Sequence, residues 1–489
     1  MAKQTTFRTA DAMPNANISL PFGIISTVRA GFRRLGLYEF LDGFKEKGVP
    51  LSYVVELTCI YQLQGCSSMN ECGQKVSSQL MKEELCHGYT ISRKTIERSL
   101  TFLDLHFEDV IEFIWKRLRE IYPDINTDVY ADGSHIRRYG SKGNNTAAGE
   151  GGGTVQLQDQ FMVAQLKDSG LPVMIEMYPG NWNDPPQYDD FIPQLMFYLN
   201  KGSMIIMDNG GSNKELLDDI RDSGMEYLTR VRMNASDDAL IDTDAEKIEY
   251  VSGNVLCLRH EFESSDKTNY LFFSSDRYSL GQSAALRRAA RLAEQMKEAK
   301  EVKKDPKLNR LVNVKKNPFY EVTIDSYHID MNLDPWLEDD IITAAKEVAG
   351  DRCGWFKLQC SKRLPPIEAL ETYRHRVGIE HLISSIKTIV NINPLRVWAE
   401  TSVRGSLLMA LIAQLQLSMV RHELEPDVID KMIDGKIVKC YHKPSNKTIC
   451  DSLIHWTVTV IPRDDWRKER IFSNENALTE RISAVLERF

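Results

Sequence analysis

Four polar side chains in the C-terminal third stand at a spacing that lets them act together: Tyr373, Arg376, Glu380 and Lys387, at offsets 0, 3, 7 and 14. On a helix turning about 100° per residue, these offsets point within roughly 60° of one another. Ile379, Leu382, Ile383 and Ile386 supply apolar surface beside this stripe. One carboxylate among cations and a phenol can take a metal ion on the acid and a phosphate backbone on the cations. The same spacing also describes a solvated helix face with an i,i+4 ion pair between Arg376 and Glu380. Two further acids end apolar runs suited to strands: Asp132 after Val129-Tyr130-Ala131, and Asp208 after Met204-Ile205-Ile206-Met207. Either is also readable as a turn aspartate, since Gly133-Ser134 follows the first and Asn209-Gly210-Gly211 the second.

The elements that would position these groups change character along the chain. Residues 1–122 read as helical, with apolar spacing over Ile24–Leu41 and Tyr53–Leu63. Ser92 can cap a helix that turns Ile96, Leu100 and Leu103 inward and Arg93, Lys94 and Arg98 outward. A preceding helix, Met69–Met81, would complete a helix-turn-helix-like unit that lays those basic side chains on DNA; an ordinary helical bundle fits as well. From residue 123 the spacing predicts strands Val129–Ser134, Phe161–Leu166 and Pro172–Met177, helix Asp189–Leu199, strand Met204–Met207, helix Lys214–Asp222 and strand Glu226–Val231. Asp208 and Glu380 are 172 positions apart, too far for a loop, so an inserted subdomain is expected over 236–350. Its strands are Ile248–Tyr250, Val255–Arg259, Tyr270–Ser274 and Phe319–Ile324, around a charged helix Ala284–Lys304. The chain would rejoin the core over 351–423, with strand Gly354–Leu358 and a long apolar helix Ser406–Val420. A tail, 424–489, mixes short strands with a final helix, Glu475–Arg488, and dimerisation is the working expectation for it.

Composition sets outer bounds. The chain has 489 residues, 42% hydrophobic and 27% charged, enough for several units with real cores. There is no apolar run long enough to predict a membrane span and no apolar signal region at the N-terminus. Nine cysteines, an odd number, argue against a full disulfide framework and suit a reducing cytoplasm. A net charge of −8 runs against phosphate binding, but Arg287–Lys316 holds eleven Lys or Arg against four Asp or Glu. Cys440, His442, Cys450 and His455 have a spacing uncommon for zinc. The Gly149–Gly153 run lacks the Lys-Ser/Thr of a phosphate loop and reads as a mobile loop near the acids.

Taken together, Y-x2-R-x3-E-x6-K, the Asp132 and Asp208 segments, and Gly180-Asn181-Trp182-Asn183-Asp184 between them resemble the signature of IS4-type DDE transposases, the IS1634-like branch most closely. The resemblance covers about residues 50–422; the stretch Gly149–Asp159 matches no motif of the family. It implies an α/β fold: a ribonuclease H-like catalytic core interrupted by a β-rich insertion, with an N-terminal all-helical DNA-binding domain. It implies Asp132, Asp208 and Glu380 as catalytic metal ligands for two Mg2+ ions, which Mn2+ could replace, with Asp132 bridging both. Arg376 and Lys387 would grip flanking phosphates, and Tyr373 would pack on the same strand. Trp336 is a candidate for stabilising a flipped base, whereas Trp355 reads as core. The implied partners are double-stranded DNA, as transposon ends and target, and a second copy in a homodimer, in the bacterial cytoplasm at the nucleoid and without a membrane. Two other readings stay open: a relative that binds ends without cutting, and another ribonuclease H-like nuclease such as a repair enzyme.

Overall fold

Strand Ile18–Leu20 (β1) leads into the first helix, Phe22–Leu35. That helix stops at Gly36, whose φ of +71° carries the chain into a second short helix, Leu37–Asp42. The continuous helix expected over Ile24–Leu41 is therefore broken, because a left-handed glycine ends the i→i−4 ladder. Helix Leu51–Leu63 is buried along almost its whole length and carries Glu56 inside. That carboxylate accepts from Arg29 Nε at 2.7 Å and from the Tyr38 hydroxyl at 2.6 Å, and the His87 imidazole lies 3.0 Å away. Ser92 caps helix Arg93–Leu105 through the Thr95 N–H, as the sequence predicts. Ile96, Leu100 and Leu103 are buried, and Arg93, Lys94 and Arg98 are exposed. The structure is a computed structural model. It describes residues 17–489 except 67, 69–70, 74–75, 77, 139–145, 152–153, 262–266, 302–317, 324–327, 351, 394–396, 398, 434–435 and 464–466. The expected helix Met69–Met81 lies largely outside the described residues; a helix Gln79–Cys86 follows it.

Five strands follow: Val129–Arg137 (β2), Ala147–Gly151 (β3), Thr154–Leu166 (β4), Pro172–Tyr178 (β5) and Met204–Met207 (β6). β4 pairs antiparallel with β2, β3 and β5. β2 pairs parallel with β6, with Ala131 opposite Met207. Every residue of β5 and β6 is buried, as continuous apolar runs require. The loop expected at Gly149–Gly153 is a strand as far as Gly151. A Cβ on Gly149 would meet the Gly180 carbonyl oxygen at 2.4 Å, so the glycine is what lets two backbones approach. Helix Asp184–Met196 starts five residues before its expected start, with proline in its first turn, where a missing N–H costs nothing. Helix Lys214–Asp222 falls where the spacing places it.

The chain up to Glu226 and again from His375 makes one compact unit, and Tyr227–Arg374 makes another. The first unit is organised by helix Glu400–Glu423, which packs on helix Arg93–Leu105, on helix Leu51–Leu63 and on β5. By length and composition this helix could cross a membrane, but 94% of its apolar window is buried inside the protein. Gly405 lets it cross the Arg93–Leu105 helix closely: a Cβ there would stand 2.1 Å from the Leu100 carbonyl oxygen. The second unit holds an antiparallel sheet ordered Glu226–Val231 (β7), Trp355–Cys360, Thr268–Ser274, Val255–Glu261 and Glu249–Ser252. In chain order the last four are β8 (Glu249–Ser252), β9 (Val255–Glu261), β10 (Thr268–Ser274) and β13 (Trp355–Cys360). Between β10 and β13 lie helices Ser275–Glu301 and Glu338–Ala349 and a two-strand pair, Tyr320–Thr323 (β11) with His328–Met331 (β12). Ala289, Ala293, Met296, Phe319, Ala344 and Ala345 form that unit's helical core. Half of the basic run Arg287–Lys316 lies outside the described residues. In the tail, Asp427–Ile433 (β14) pairs with Lys436–His442 (β15), and Thr457–Pro462 (β16) pairs with both Lys468–Ser473 (β17) and β1.

Candidate active site

Strand register brings the first two acids together. Ala131 and Met207 are partners across the parallel β2–β6 pair, so Asp132 and Asp208, one residue further on, leave adjacent strands at the same level, about 4.8 Å apart in strand spacing. Asp132 accepts the Gly133 N–H at 2.9 Å, and Asp208 accepts the Asn209 N–H at 2.7 Å and caps the short turn Asn209–Gly211. The turn reading of Asp208 is thus true as well, and does not take the side chain away from the site. Tyr188, buried beneath, donates to the Ala131 carbonyl at 3.3 Å. A Cβ on Gly210 would meet the Asp184 side chain at 2.5 Å and the Tyr188 ring at 2.9 Å. Glycine there lets the turn after Asp208 close down on the ring.

The third acid arrives on helix Val377–Thr388, which buries Ile379, Leu382, Ile383 and Ile386 as the spacing predicts. Its rotation is fixed from behind, where Ser385 Oγ and Gln414 Oε1 of helix Glu400–Glu423 are 2.6 Å apart, both residues buried. The single long stripe is not continuous, however. Tyr373 lies on a separate helix, Pro366–Arg374, in the second unit. The chain between them turns through i→i+3 bonds, His375 O to the Gly378 N–H and Arg376 O to the Ile379 N–H. Arg376 therefore stands at the N-cap rather than within a helix.

The Arg376 guanidinium lies 2.7 Å from Asp132, 2.9 Å from Glu380 and 3.5 Å from Asp208. Exposure of these side chains is 14% for Arg376, 19% for Asp132, 40% for Asp208 and 51% for Glu380. Burial pushes the Asp132 carboxyl up to about 6, with Asp208 and Glu380 adding to the rise and Arg376 opposing it. Lys387, in the last turn of its helix, reaches Ser134 Oγ at 2.6 Å, two residues beyond Asp132 on β2. Burial lowers its ammonium to about 8. Ser134 and Tyr188 are parts of the site that spacing along the helix does not single out. Two-residue alternation on β2 does put Ser134 on the Asp132 face.

The other sequence candidates do not join this cluster. Arg93, Lys94 and Arg98 are on the N-terminal helical face, and Arg93 is paired with Glu97 at 2.7 Å. Trp336, 63% exposed, belongs to the second unit with the Lys297 ammonium 4.6 Å from its ring centroid. Trp355, half-buried, tilts against Phe273 at 5.4 Å. Cys450 is buried and directed at the Leu63 carbonyl. Among the described residues no three His, Cys, Asp or Glu stand close enough to hold a metal ion as they are. At the three acids the Arg376 guanidinium lies among the carboxylates. Their hard oxygen donors suit a divalent cation such as Mg2+ in chemistry.

Residues 128–415 match the family model described as a transposase DDE domain. That span begins beside β2, ends inside helix Glu400–Glu423 and contains all three acids. No curated protein matches the chain. Among solved structures, it is similar to the piggyBac transposase synaptic complex with hairpin DNA at 11% identity and a TM-score of 0.40, covering 88% of this chain and 77% of that one. It is also similar to the Mos1 transposase paired-end complex with left transposon end, at 13% identity and a TM-score of 0.16, covering 37% of this chain and 60% of that one. Likenesses this remote assign no residue a role.

Proposed function

Because this chain belongs to the transposase DDE-domain family, we propose that it cleaves transposon ends and joins their 3′-hydroxyls to target DNA, with Asp132, Asp208 and Glu380 as the catalytic acids. One observation carries the assignment: acids from β2, from the end of β6 and from helix Val377–Thr388 meet on a single guanidinium. Three carboxylates gathered from such distant parts of a chain are a poor choice for stability alone, since they repel one another. The strand order of an antiparallel β5–β4–β2 run joined in parallel to β6 is compatible with a ribonuclease H-like core. The signature spacing favours the IS4-type branch.

Asp132, Asp208 and Glu380 would hold the divalent ions, two Mg2+ by the family resemblance, once Arg376 is drawn off them. Bound there, a metal would activate the attacking oxygen and stabilise the leaving one. The protein's own contribution is separate. Arg376 keeps three acids close without metal, and it can turn its fork onto a phosphodiester, which it matches in charge and geometry. Lys387, held over β2 by Ser134, offers a point charge to a neighbouring phosphate. Burial of Asp132 lowers the local dielectric where charge develops. Tyr373 and Trp336 are assigned to DNA contact by the resemblance alone.

In this reading, residues 1–122 bind the terminal repeats through Arg93, Lys94 and Arg98. The segment 236–350 is the β-rich insertion, between core halves 123–235 and 351–423. The tail, 424–489, serves dimerisation, supported by apolar side chains exposed on the β14–β15 hairpin: Val428 at 55%, Ile437 at 71% and Tyr441 at 70%. The test is Mg2+-dependent cleavage and joining of a labelled duplex carrying the element's own ends, in wild type and Glu380→Gln. Activity lost in the variant with DNA binding retained supports the assignment. Binding without cleavage by wild type, under Mg2+ or Mn2+, would leave a non-cutting relative as the better account.

A further inference from the structure

A cleft of about 520 Å³ opens on the other side of helix Val377–Thr388. Gly378, His381, Leu382 and Ser385 line it, and they project roughly 100–200° away from Glu380 at about 100° per residue. Its floor includes Arg421, near the end of helix Glu400–Glu423. Arg421 is half-buried, and its Nε donates to the Pro444 carbonyl at 3.0 Å. Among the described residues no carboxylate lies within ion-pair distance of it, and burial alone pulls its guanidinium below the ordinary value. A cation withdrawn from water without a counter-charge is costly unless something supplies one.

The rest of the cleft points the same way. Lys447, exposed, stands in the first turn of helix Asn446–His455, whose cap Ser445 also lines the wall. That helix start adds outward N–H groups and the positive end of a dipole. His375 and His381 stand at the rim. Asp168 is the acid on the lining, and it accepts from Asn126 at 2.7 Å. Lys167 is 3.4 Å from Asp128. The guanidinium and the Lys447 ammonium therefore remain for a ligand.

We propose that this cleft is a second anion site, separate from the three acids, that takes a phosphate-bearing ligand on Arg421, Lys447 and the start of helix Asn446–His455. Arg421 supplies a fork for two phosphate oxygens and Lys447 a mobile point charge. The volume falls within the range that holds a small ligand, so a phosphodiester of a DNA strand and a free phosphorylated small molecule share the chemistry required. The inference does not depend on the acids being catalytic.

The test uses the full chain with two probes: inorganic pyrophosphate by titration calorimetry, and a short labelled duplex without transposon ends by fluorescence anisotropy. Wild type should bind pyrophosphate, and both Arg421→Gln and Lys447→Glu should weaken it at least tenfold. Lys447 is exposed, so Lys447→Glu should leave thermal unfolding unchanged and keeps the test sound if Arg421→Gln folds poorly. Glu380→Gln should leave pyrophosphate affinity within twofold, which separates this site from the acid cluster. Parallel loss of duplex affinity in Lys447→Glu would identify the ligand as a DNA strand; intact duplex affinity would identify a small phosphorylated molecule. Wild type that ignores pyrophosphate at millimolar concentration, or variants that bind it as wild type does, would overturn the proposal.

Discussion

Replacing Arg376 with glutamine should destabilise the metal-free protein and tighten its hold on Mg2+. The guanidinium does two opposed things: it neutralises three acids, and it fills the place a cation would take. Its pair with Asp132 is the more buried, at 14% and 19% exposure. Removing one partner of a fully buried pair costs about 3–5 kcal/mol, and residual solvent here reduces that to about 2 kcal/mol. Asp208 and Glu380 are 40% and 51% exposed, so their pairs add at most roughly 0.2–1 kcal/mol each. The sum, about 2–4 kcal/mol, predicts a melting temperature lower by about 5–16 °C in EDTA, at about 2–4 °C per kcal/mol for a large domain. In wild type a metal must displace the guanidinium and lose that same energy. Freed of the competition, Arg376→Gln should bind Mg2+ about fiftyfold to several hundredfold more tightly, since about 1.4 kcal/mol is a factor of ten. The assays are Mn2+ or Mg2+ titration calorimetry and thermal unfolding with and without metal. Asp132 adds a pH signature. Its folded carboxyl, raised to about 6 chiefly by burial, binds a proton the unfolded chain has already lost above about 3.9. Metal-free stability should therefore fall as pH rises from about 4 to 6, while metal affinity rises through about pH 6 because the ligand must be ionised. In Arg376→Gln the metal-affinity midpoint should move higher, because Arg376 opposes the rise of Asp132. Equal or weaker metal affinity in Arg376→Gln would refute the competition and leave Arg376 as a part that orders the ligands.

Three further outcomes are expected. Glu56, 0% exposed among Arg29, Tyr38 and His87, is held below its ordinary value, burial opposing and the His87 and Arg29 contacts prevailing. Glu56→Gln should cost roughly 3 kcal/mol at pH 7 in urea unfolding. Since the folded value is depressed, that gap should close as pH falls below about 4; a gap independent of pH would deny the charge a role. Gly405→Ala would drive a methyl to within 2.1 Å of the Leu100 carbonyl oxygen, so it should cost about 1–3 kcal/mol as overpacking, and a neutral result would mean the two helices separate freely. Lys387, lowered to about 8 by burial, should lose charge and DNA affinity between pH 7 and 9. Lys387→Arg stays charged and should show a flat profile if this lysine meets a phosphate.

The site was legible in the sequence to the extent that local pattern decides it. Met204–Met207 is an uninterrupted apolar run, Glu226–Val231 a β-prone stretch, and both strands formed at those bounds. Ile379, Leu382, Ile383 and Ile386 are buried as spaced. What spacing misses is tertiary choice. The period carries Tyr373 through to Lys387 as one face, but the helix ends at Arg374 and a new one begins at Val377, with Arg376 between them paired to the three acids. Gly36 ends a helix through a positive φ that periodicity does not register. Gly149 looks like loop composition and is a strand residue because a neighbouring backbone needs the room. The Arg421 cleft gave no signal at all, since its residues come from five separate stretches of chain.

Residues 227–374 interrupt the unit that carries all three acids. Asp132 and Asp208 leave synthesis early, and Glu380 with the Arg376 that ties them follows only after that whole second unit. The closing β1–β16 pair joins Ile18 to Val460. Contacts so far apart in sequence form late and slowly, whereas the intervening unit has its own sheet to fold around. A growing or truncated chain thus holds two carboxylates with neither the third nor their shared cation. The cluster on Arg376 is therefore assembled only after the second unit has been made.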